Sequence, residues 1–313
     1  MRNDALIAIA GGLLSAFLSL SFLGGSATGI MFAYFTSLPL FLIGLSLGIK
    51  SLTYAAGAGI IIIGVFAGWI ATSVYALIYF LPAWLITLFM TSETHNNQTS
   101  TNNTSVLGPP LTLLALLGSV FIILGALSTG PTKLQEVVEL ALTNVFKKMM
   151  PVLDVTLRQN LIDDVTPHFL GAFGSSWLIM LIINAIIAQS LLVQFKKNLK
   201  PSPSYRNLDL PEWASWPLVT VASITLIGSY FGLKEIEFIG RNILIIVAIP
   251  YFFLGLAVVH TLANQTNFKF IYISLMYFVV LVSGWAAIVI SAVGITEHWF
   301  QIRNIVKLQN NEK

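Results

Sequence analysis

Cysteine is missing from all 313 residues. Its absence excludes disulfides, thiolate metal sites and cysteine nucleophiles. Charge is scarce. Only 9% of residues are Asp, Glu, Lys or Arg, whereas a soluble domain carries about a quarter. So few charged groups cannot coat a water-soluble globule. No Asp or Glu falls in the middle of an apolar run, where a proton- or sodium-driven pump would need one. The phosphate-binding Gly-rich loop, His-Glu-x-x-His and Gly-x-Ser-x-Gly are absent too, so no enzyme activity and no cofactor is expected. Any coupling ATPase must be another chain.

Apolar residues fill the space left: 56% of the chain is hydrophobic. The apolar runs are continuous rather than alternating, which excludes a transmembrane barrel. A spanning helix needs about 20 apolar residues. By that rule spans fall near 5–23, 29–49, 52–72, 74–91, 109–129, 172–194, 216–233, 242–261 and 270–294. The expected fold is all-α, a polytopic bundle of eight to nine spans forming one membrane-embedded domain over 1–313. Arg2 precedes the first apolar run, but no small-x-small cleavage site follows. An uncleaved first helix is therefore expected rather than a signal peptide.

Three connections interrupt the spans. The polar loop 91–108 contains THNNQTSTNNTS-like sequence with glycosylation-type matches at Asn97, Asn102 and Asn103. Such matches arise by chance in Asn/Thr-rich loops and carry no weight. The insert 131–168 begins with an amphipathic helix. Leu134, Val137, Val138, Ala141, Val145 and Met149 share its apolar face, and Lys133, Glu136, Lys147 and Lys148 lie largely elsewhere. A second amphipathic stretch follows Pro151. The third connection holds Lys196, Lys197, Lys200 and Arg206, then Asp209, Pro211, Glu212, Trp213 and Trp216. It reads as a basic loop and an interfacial elbow, with the two indoles at the headgroup layer.

The net charge of +3 sits in such loops, where cytoplasmic anchoring explains it and no nucleic-acid partner is needed. Six spans precede the basic cluster, so the N-terminus is expected inside together with Lys50. The side of the C-terminus stays open between eight and nine spans.

Small and polar residues inside the spans are the candidates for function. Ala8, Gly12 and Ala16 run down one face of the first span, and Gly44/Gly48 and Gly64/Gly68 repeat the spacing. Such faces let helix backbones approach in lipid, either within the chain or against a second membrane protein. Asn184 and Gln189 mark an intramembrane polar site in the sixth span, and a bond across helices is the expected role of Asn184. Arg241 is expected to snorkel, and His260 ends its span. Asp163, Asp164 and His168 read as a solvated ionic group rather than a metal site. Glu297, His298 and Trp299 read as an interfacial terminus. Trp69, Tyr75, Tyr79 and Trp84 suit either a cavity lining or an aromatic belt.

Four stretches, YFLPAWLITLF (Tyr79 to Phe89), LKPSPSYRNLDLPEWA (Leu199 to Ala214), RNILIIVAIPYFFLGLAVVHTLA (Arg241 to Ala263) and the final GITEHWFQIR, together resemble the YybS-like family of predicted bacterial membrane proteins. That family is distantly similar to the substrate-binding subunits of energy-coupling-factor transporters. The resemblance implies the bacterial cytoplasmic membrane, a small-molecule ligand of unknown identity and a membrane coupling protein as partner. It places the docking face at Ala8, Gly12 and Ala16, with glycine at the middle position, and transfers no substrate residues. The expected function is a small-molecule-binding transport subunit energised by a partner. A non-transporting scaffold or envelope assembly factor is the alternative.

Overall fold

The computed structural model describes residues 2–24, 26–92 and 106–303. Most of the polar loop, with Asn97, Asn102 and Asn103, and the tail lysines Lys307 and Lys313 lie outside them. Among the described residues the chain is helical throughout, without strands. Six stretches are long and apolar enough to cross a membrane: Asn3–Gly24, Thr28–Leu47, Ile49–Thr91, Gly108–Thr129, Val155–Gln194 and Lys234–Ala263. The chain forms two compact units, one of Met1–Pro110 with Leu178–Ser204, the other of Leu111–Trp177 with Tyr205–Lys313.

The first unit starts with α1 (Arg2–Leu20). Leu6, Ile7, Leu14 and Phe17 are exposed on one side, while Ala8, Ser15 and Ala16 are fully buried on the other. In water that exposure would be costly, but facing lipid it is the expected outer surface. The chain returns through α2 (Ala27–Ala33) and α3 (Ser37–Leu47). The return is antiparallel, because Ser21 bonds to Gly29 O at 2.9 Å and Ser15 to Thr36 O at 2.7 Å. Ser26 caps α2 by accepting from the Gly29 N–H.

Gly48 ends α3 at φ 87 and opens α4 (Ile49–Tyr75). Such a φ costs glycine little and other residues much. Gly68, at φ 80 and ψ −179, breaks α4. The chain folds back there: a methyl group built on Gly59 would stand 2.5 Å from the Tyr75 hydroxyl. In a continuous helix those two residues would lie about 24 Å apart. A short π-helical turn at Ala76–Phe80 then leads into α5 (Leu81–Thr91). Thr87 of α5 meets Gly44 of α3, so α5 ends on the side where α4 began. The 43-residue stretch Ile49–Thr91 is thus a helical hairpin, with its turn at Gly68 rather than between 72 and 74. In both small-residue pairs the first glycine meets a threonine, Gly44 with Thr87 and Gly64 with Thr72, and the second supplies a positive φ.

The second unit holds most of α6 (Gly108–Thr129), then α7 (Pro131–Met149), α8 (Val155–Val165) and the start of α9 (Phe169–Gln194). The insert is amphipathic, but its inner stripe is narrower than the sequence suggests. Val138, Leu142 and Ile162 form the core, flanked by Phe146, Phe169 and Leu170. Val137, Val145 and Met149 point outward instead. A stripe spaced four residues apart suffices when the covering elements, α8 and the start of α9, are short.

α10 (Ser215–Tyr230) and α11 (Lys234–Ala263) form an antiparallel pair, with Gly228 at Ile236 and Gly240 at Thr225. α12 (Lys269–Val282) and α13 (Gly284–Phe300) follow, divided at Ser283. Both run back along α11: His260 faces Tyr277, Gly255 faces Ile290 and Gly294 faces Tyr251. At 16, 14 and 17 residues, α10, α12 and α13 are each short of a full crossing. With the hairpin Ile49–Thr91 taken as one stretch, this is why six long apolar stretches appear where the sequence suggests eight to nine.

Candidate functional site

The break between α2 and α3 is the first place where polar groups gather inside apolar helices. Residues 34–36 form a tight turn in which Phe35 and Thr36 donate back three residues. A tight turn leaves carbonyls without their usual helical donors, and in lipid each must find a partner within the protein. Asn184 of α9 donates to Tyr34 O at 2.7 Å and to Met180 O at 2.9 Å. Ser15 of α1 donates to Thr36 O at 2.7 Å, and Tyr75 donates to Ser15 Oγ at 2.8 Å. Three elements, α1, the hairpin and α9, thus converge on one break.

The convergence is incomplete. Asn184 is 2% exposed, and its Oδ1 has no hydrogen-bond partner. The buried Ser37 Oγ is likewise unpaired. A buried acceptor without a donor costs about 1–3 kcal/mol, so such atoms are where a ligand or an ordered water belongs. Every side chain named at the break is neutral.

Gln189, five residues on, does other work. Its Nε2 donates to Lys200 O at 3.3 Å and Ser202 Oγ at 3.1 Å. It thereby ties the basic loop to the end of α9 and shares no partner with Asn184. Leu199 N bonds to Leu45 O at 3.0 Å, which places Lys196, Lys197 and Lys200 at the end of the unit where α3 stops and Lys50 begins α4. α1 runs parallel to the first arm of α4, since Gly12 meets Ala55 and Ser15 meets Tyr75, which sits beside Gly59, so α1 starts at that same end.

Ala8, Gly12 and Ala16 are buried within the chain. A methyl group on Gly12 would stand 1.9 Å from Ala55 O. α4 therefore occupies the face that the sequence also offered to a partner.

A second gathering lies in the other unit, at positions read from sequence as an elbow and a terminus. After α13 the chain turns at Gln301, φ 49, and brings Arg303 back. Arg303 Nε meets Glu297 Oε1 at 2.5 Å, and its terminal nitrogens donate to Arg206 O at 2.7 Å and Leu208 O at 2.8 Å. The pair is nearly dry, with side-chain exposures of 11% and 4%. It fastens segment 205–214, two short 3-10 turns joined by an extended stretch, to the end of α13. Trp299 Nε1 donates to Ser215 Oγ at 3.2 Å beside it. Within the segment Asp209 is half-buried, and loss of water pushes its carboxyl above the ordinary value, the Arg303 charge opposing.

Four further polar residues have partners of their own. Asn242, which the sequence reading passed over, is fully buried and satisfied: it donates to Pro167 O and Phe238 O and accepts from Gly171 N. Arg241 pairs with Glu237 one turn away. His260 bonds Leu256 O at 2.8 Å between the rings of Tyr205 and Tyr277. Asp163 accepts from Gln159 at 2.9 Å. Among the described residues no three metal-ligating side chains come together.

The family of predicted membrane proteins named DUF2232 matches residues 13–297. The chain belongs to that family. The match covers most of both units and the whole α2–α3 break, and it ends at Glu297, short of Arg303. No curated protein and no solved structure matches the chain significantly. Membership in DUF2232 and six long apolar helices make it an integral membrane protein in contact with the lipid bilayer.

Proposed function

We infer that this DUF2232 protein is a small-molecule-binding transport subunit of the bacterial cytoplasmic membrane. The observation that supports the reading is the α2–α3 break. Transporters place binding sites where spanning helices are interrupted and backbone polar groups face inward. Here the break is ringed by Ser15, Tyr75 and Asn184, with Asn184 Oδ1 and Ser37 Oγ unpaired. The YybS-like resemblance and the likeness to energy-coupling-factor subunits point the same way. With no nucleotide-binding motif in the chain, the energy comes from a separate membrane partner. Because α4 packs on Gly12, and Ala8 and Ala16 are buried within the chain, that partner docks on another surface.

Eight or nine crossings fit the helix pairings, the ninth being the 16-residue α10. They are α1, α2 with α3, the two arms of the hairpin, α6, α9, α10, α11, and α12 with α13. The basic residues gathered at one end of the first unit favour a cytoplasmic N-terminus by the positive-inside rule.

The test is mass spectrometry of small molecules retained in lipid nanodiscs, wild type against Asn184→Leu and an empty disc. A stoichiometric metabolite lost in the variant is the expected result. Lipids alone in both would overturn the reading. They would favour the scaffold alternative, which the outward apolar residues at the turn from α7 to α8 support: Met149, Val152 and Val155 are exposed at 70%, 96% and 74%.

A further inference from the structure

The hydrogen bonds at the α2–α3 break leave a remainder with one chemical sense. The carbonyls of Ile30, Phe32, Ala33 and Phe35 accept from the backbone N–H groups of Tyr34, Phe35, Thr36 and Leu38. Tyr34 O accepts from Asn184 and Thr36 O from Ser15. The Asn184 amide uses its Nδ2 protons on Tyr34 O and Met180 O. Those two acceptors fix which end of the amide is nitrogen and leave Oδ1 as a pure acceptor. The Ser15 hydroxyl gives its proton to Thr36 O and receives that of Tyr75. Asn184 Oδ1 and the Ser37 hydroxyl remain buried without partners. A molecule that completes the break must therefore bring a hydrogen-bond donor.

Charge is remote from it. Among the described residues, the charged positions of the first unit are Arg2, Asp4, Lys50, Lys196, Lys197 and Lys200. All lie at the end where α1 and α4 begin and α9 stops. Along α1, Asp4 is about 16 Å from Ser15. Along α4, Lys50 is about 14 Å from Gly59, which sits beside Tyr75. Along α9, Gln194 precedes the basic loop and is about 15 Å from Asn184. An ion brought to the break would find no counter-charge, and burying an unpaired ion costs far more than one hydrogen bond returns. A bare cation would also meet carbonyls that already accept.

We propose that the break binds an uncharged molecule through an N–H or O–H group donated to Asn184 Oδ1, with the Ser37 hydroxyl as a second polar contact. The proposal rests on the reading of the break as a ligand site and narrows that site to one class. Amides, heterocycles with a ring N–H and alcohols fit it. Carboxylates, phosphates and ammonium compounds do not. A site built to pair with a donor also rejects the analogue that lacks it, because the buried acceptor is then left alone.

The test incubates full-length protein in nanodiscs with the small-molecule fraction of a bacterial cell extract, against empty discs. Mass spectrometry identifies what stays bound. The retained compound should be uncharged at pH 7, carry an N–H or O–H, and be lost in Asn184→Leu. Its derivative methylated at that group should bind at least about tenfold more weakly. Ser37→Ala should weaken binding too. Without ligand, that variant should melt no lower than wild type, since the hydroxyl it removes has no partner. If Asn184→Leu does not accumulate, Ser37→Ala carries the same comparison. A charged compound retained by wild type and lost in the variant would overturn the proposal and leave the transport reading standing. So would equal binding of the methylated derivative. A compound held equally by wild type and variant, or no compound at all, would overturn both.

Discussion

Gly12→Ala should destabilise the first unit by at least about 1–3 kcal/mol, the usual cost of overpacking. The added methyl would stand 1.9 Å from Ala55 O, 2.7 Å from Ala55 C and 2.9 Å from Ala55 Cα. All three are backbone atoms of α4, so no side chain can swing aside. To restore ordinary contact α1 must move away from α4 by about 1.5 Å. That movement drags Ser15 with it, and Ser15 links Tyr75 to the Thr36 carbonyl. The loss thus spreads from packing into the polar break. Gly57→Ala is the matched control: it lies on α4, and a methyl there meets nothing within 4 Å. That substitution should gain about 0.5–1 kcal/mol from helix propensity alone. The assay is unfolding by denaturing detergent, followed by circular dichroism, on both variants and wild type. Equal midpoints for the two glycine variants would refute the close α1–α4 crossing. Retained stability in Gly12→Leu would return this face to an external partner.

Glu297→Gln should cost about 3–5 kcal/mol, since it strands a buried guanidinium; limited proteolysis should then cut within 205–214 sooner than in wild type. Gly294→Val should separate α11 from α13, because even a methyl would stand 1.8 Å from Tyr251 O; fluorescence-detected gel filtration of the variant should show loss of the folded peak. Asp154 caps α8 by accepting from Thr156 N and Leu157 N, and these bonds hold its carboxyl below the ordinary value. Its contribution is present above the unfolded value of about 3.9 and is lost as pH falls through the lowered one. Amide exchange, corrected for intrinsic rates, should therefore show the first turn of α8 fraying in acid, and Asp154→Ala should fray it already at neutral pH.

Much of the membrane architecture was legible because lipid permits few solutions. Long uncharged runs with every backbone group satisfied internally must be helices. The division of Ile49–Thr91 was legible in kind but not in place. The turn at Gly68 is flanked by Phe66 and Trp69, with no polar residue at its tip, so hydropathy does not dip there. Only the positive φ of one glycine marks it. Asn184 stood out as a rare amide within a run, and its bond across helices to Tyr34 is the role that rarity suggested. The unpaired Oδ1 could not be foreseen, since it depends on what surrounds the break. The Asp209–Glu297–Arg303 gathering was hidden for another reason. Its members come from a loop and a helix end almost a hundred positions apart, and each position alone reads as interfacial. What brings them together is the antiparallel return of α13 along α11, a register that no local pattern encodes. The crossing of Gly255 and Gly294 was overlooked likewise, because the two small residues sit on different helices.

The measurement that tests most directly how breaks in apolar helices build this protein is single-cysteine accessibility in intact membrane vesicles. The native chain has no cysteine to remove. Cysteines are placed singly at Lys50, Trp69 and Ser92 and challenged with a membrane-impermeant thiol reagent from each side. Labelling of positions 50 and 92 from the same face, with 69 reached only from the other, is the predicted result. Labelling of 50 and 92 from opposite faces would contradict the fold-back at Gly68, and with it the polar site that the hairpin helps to build.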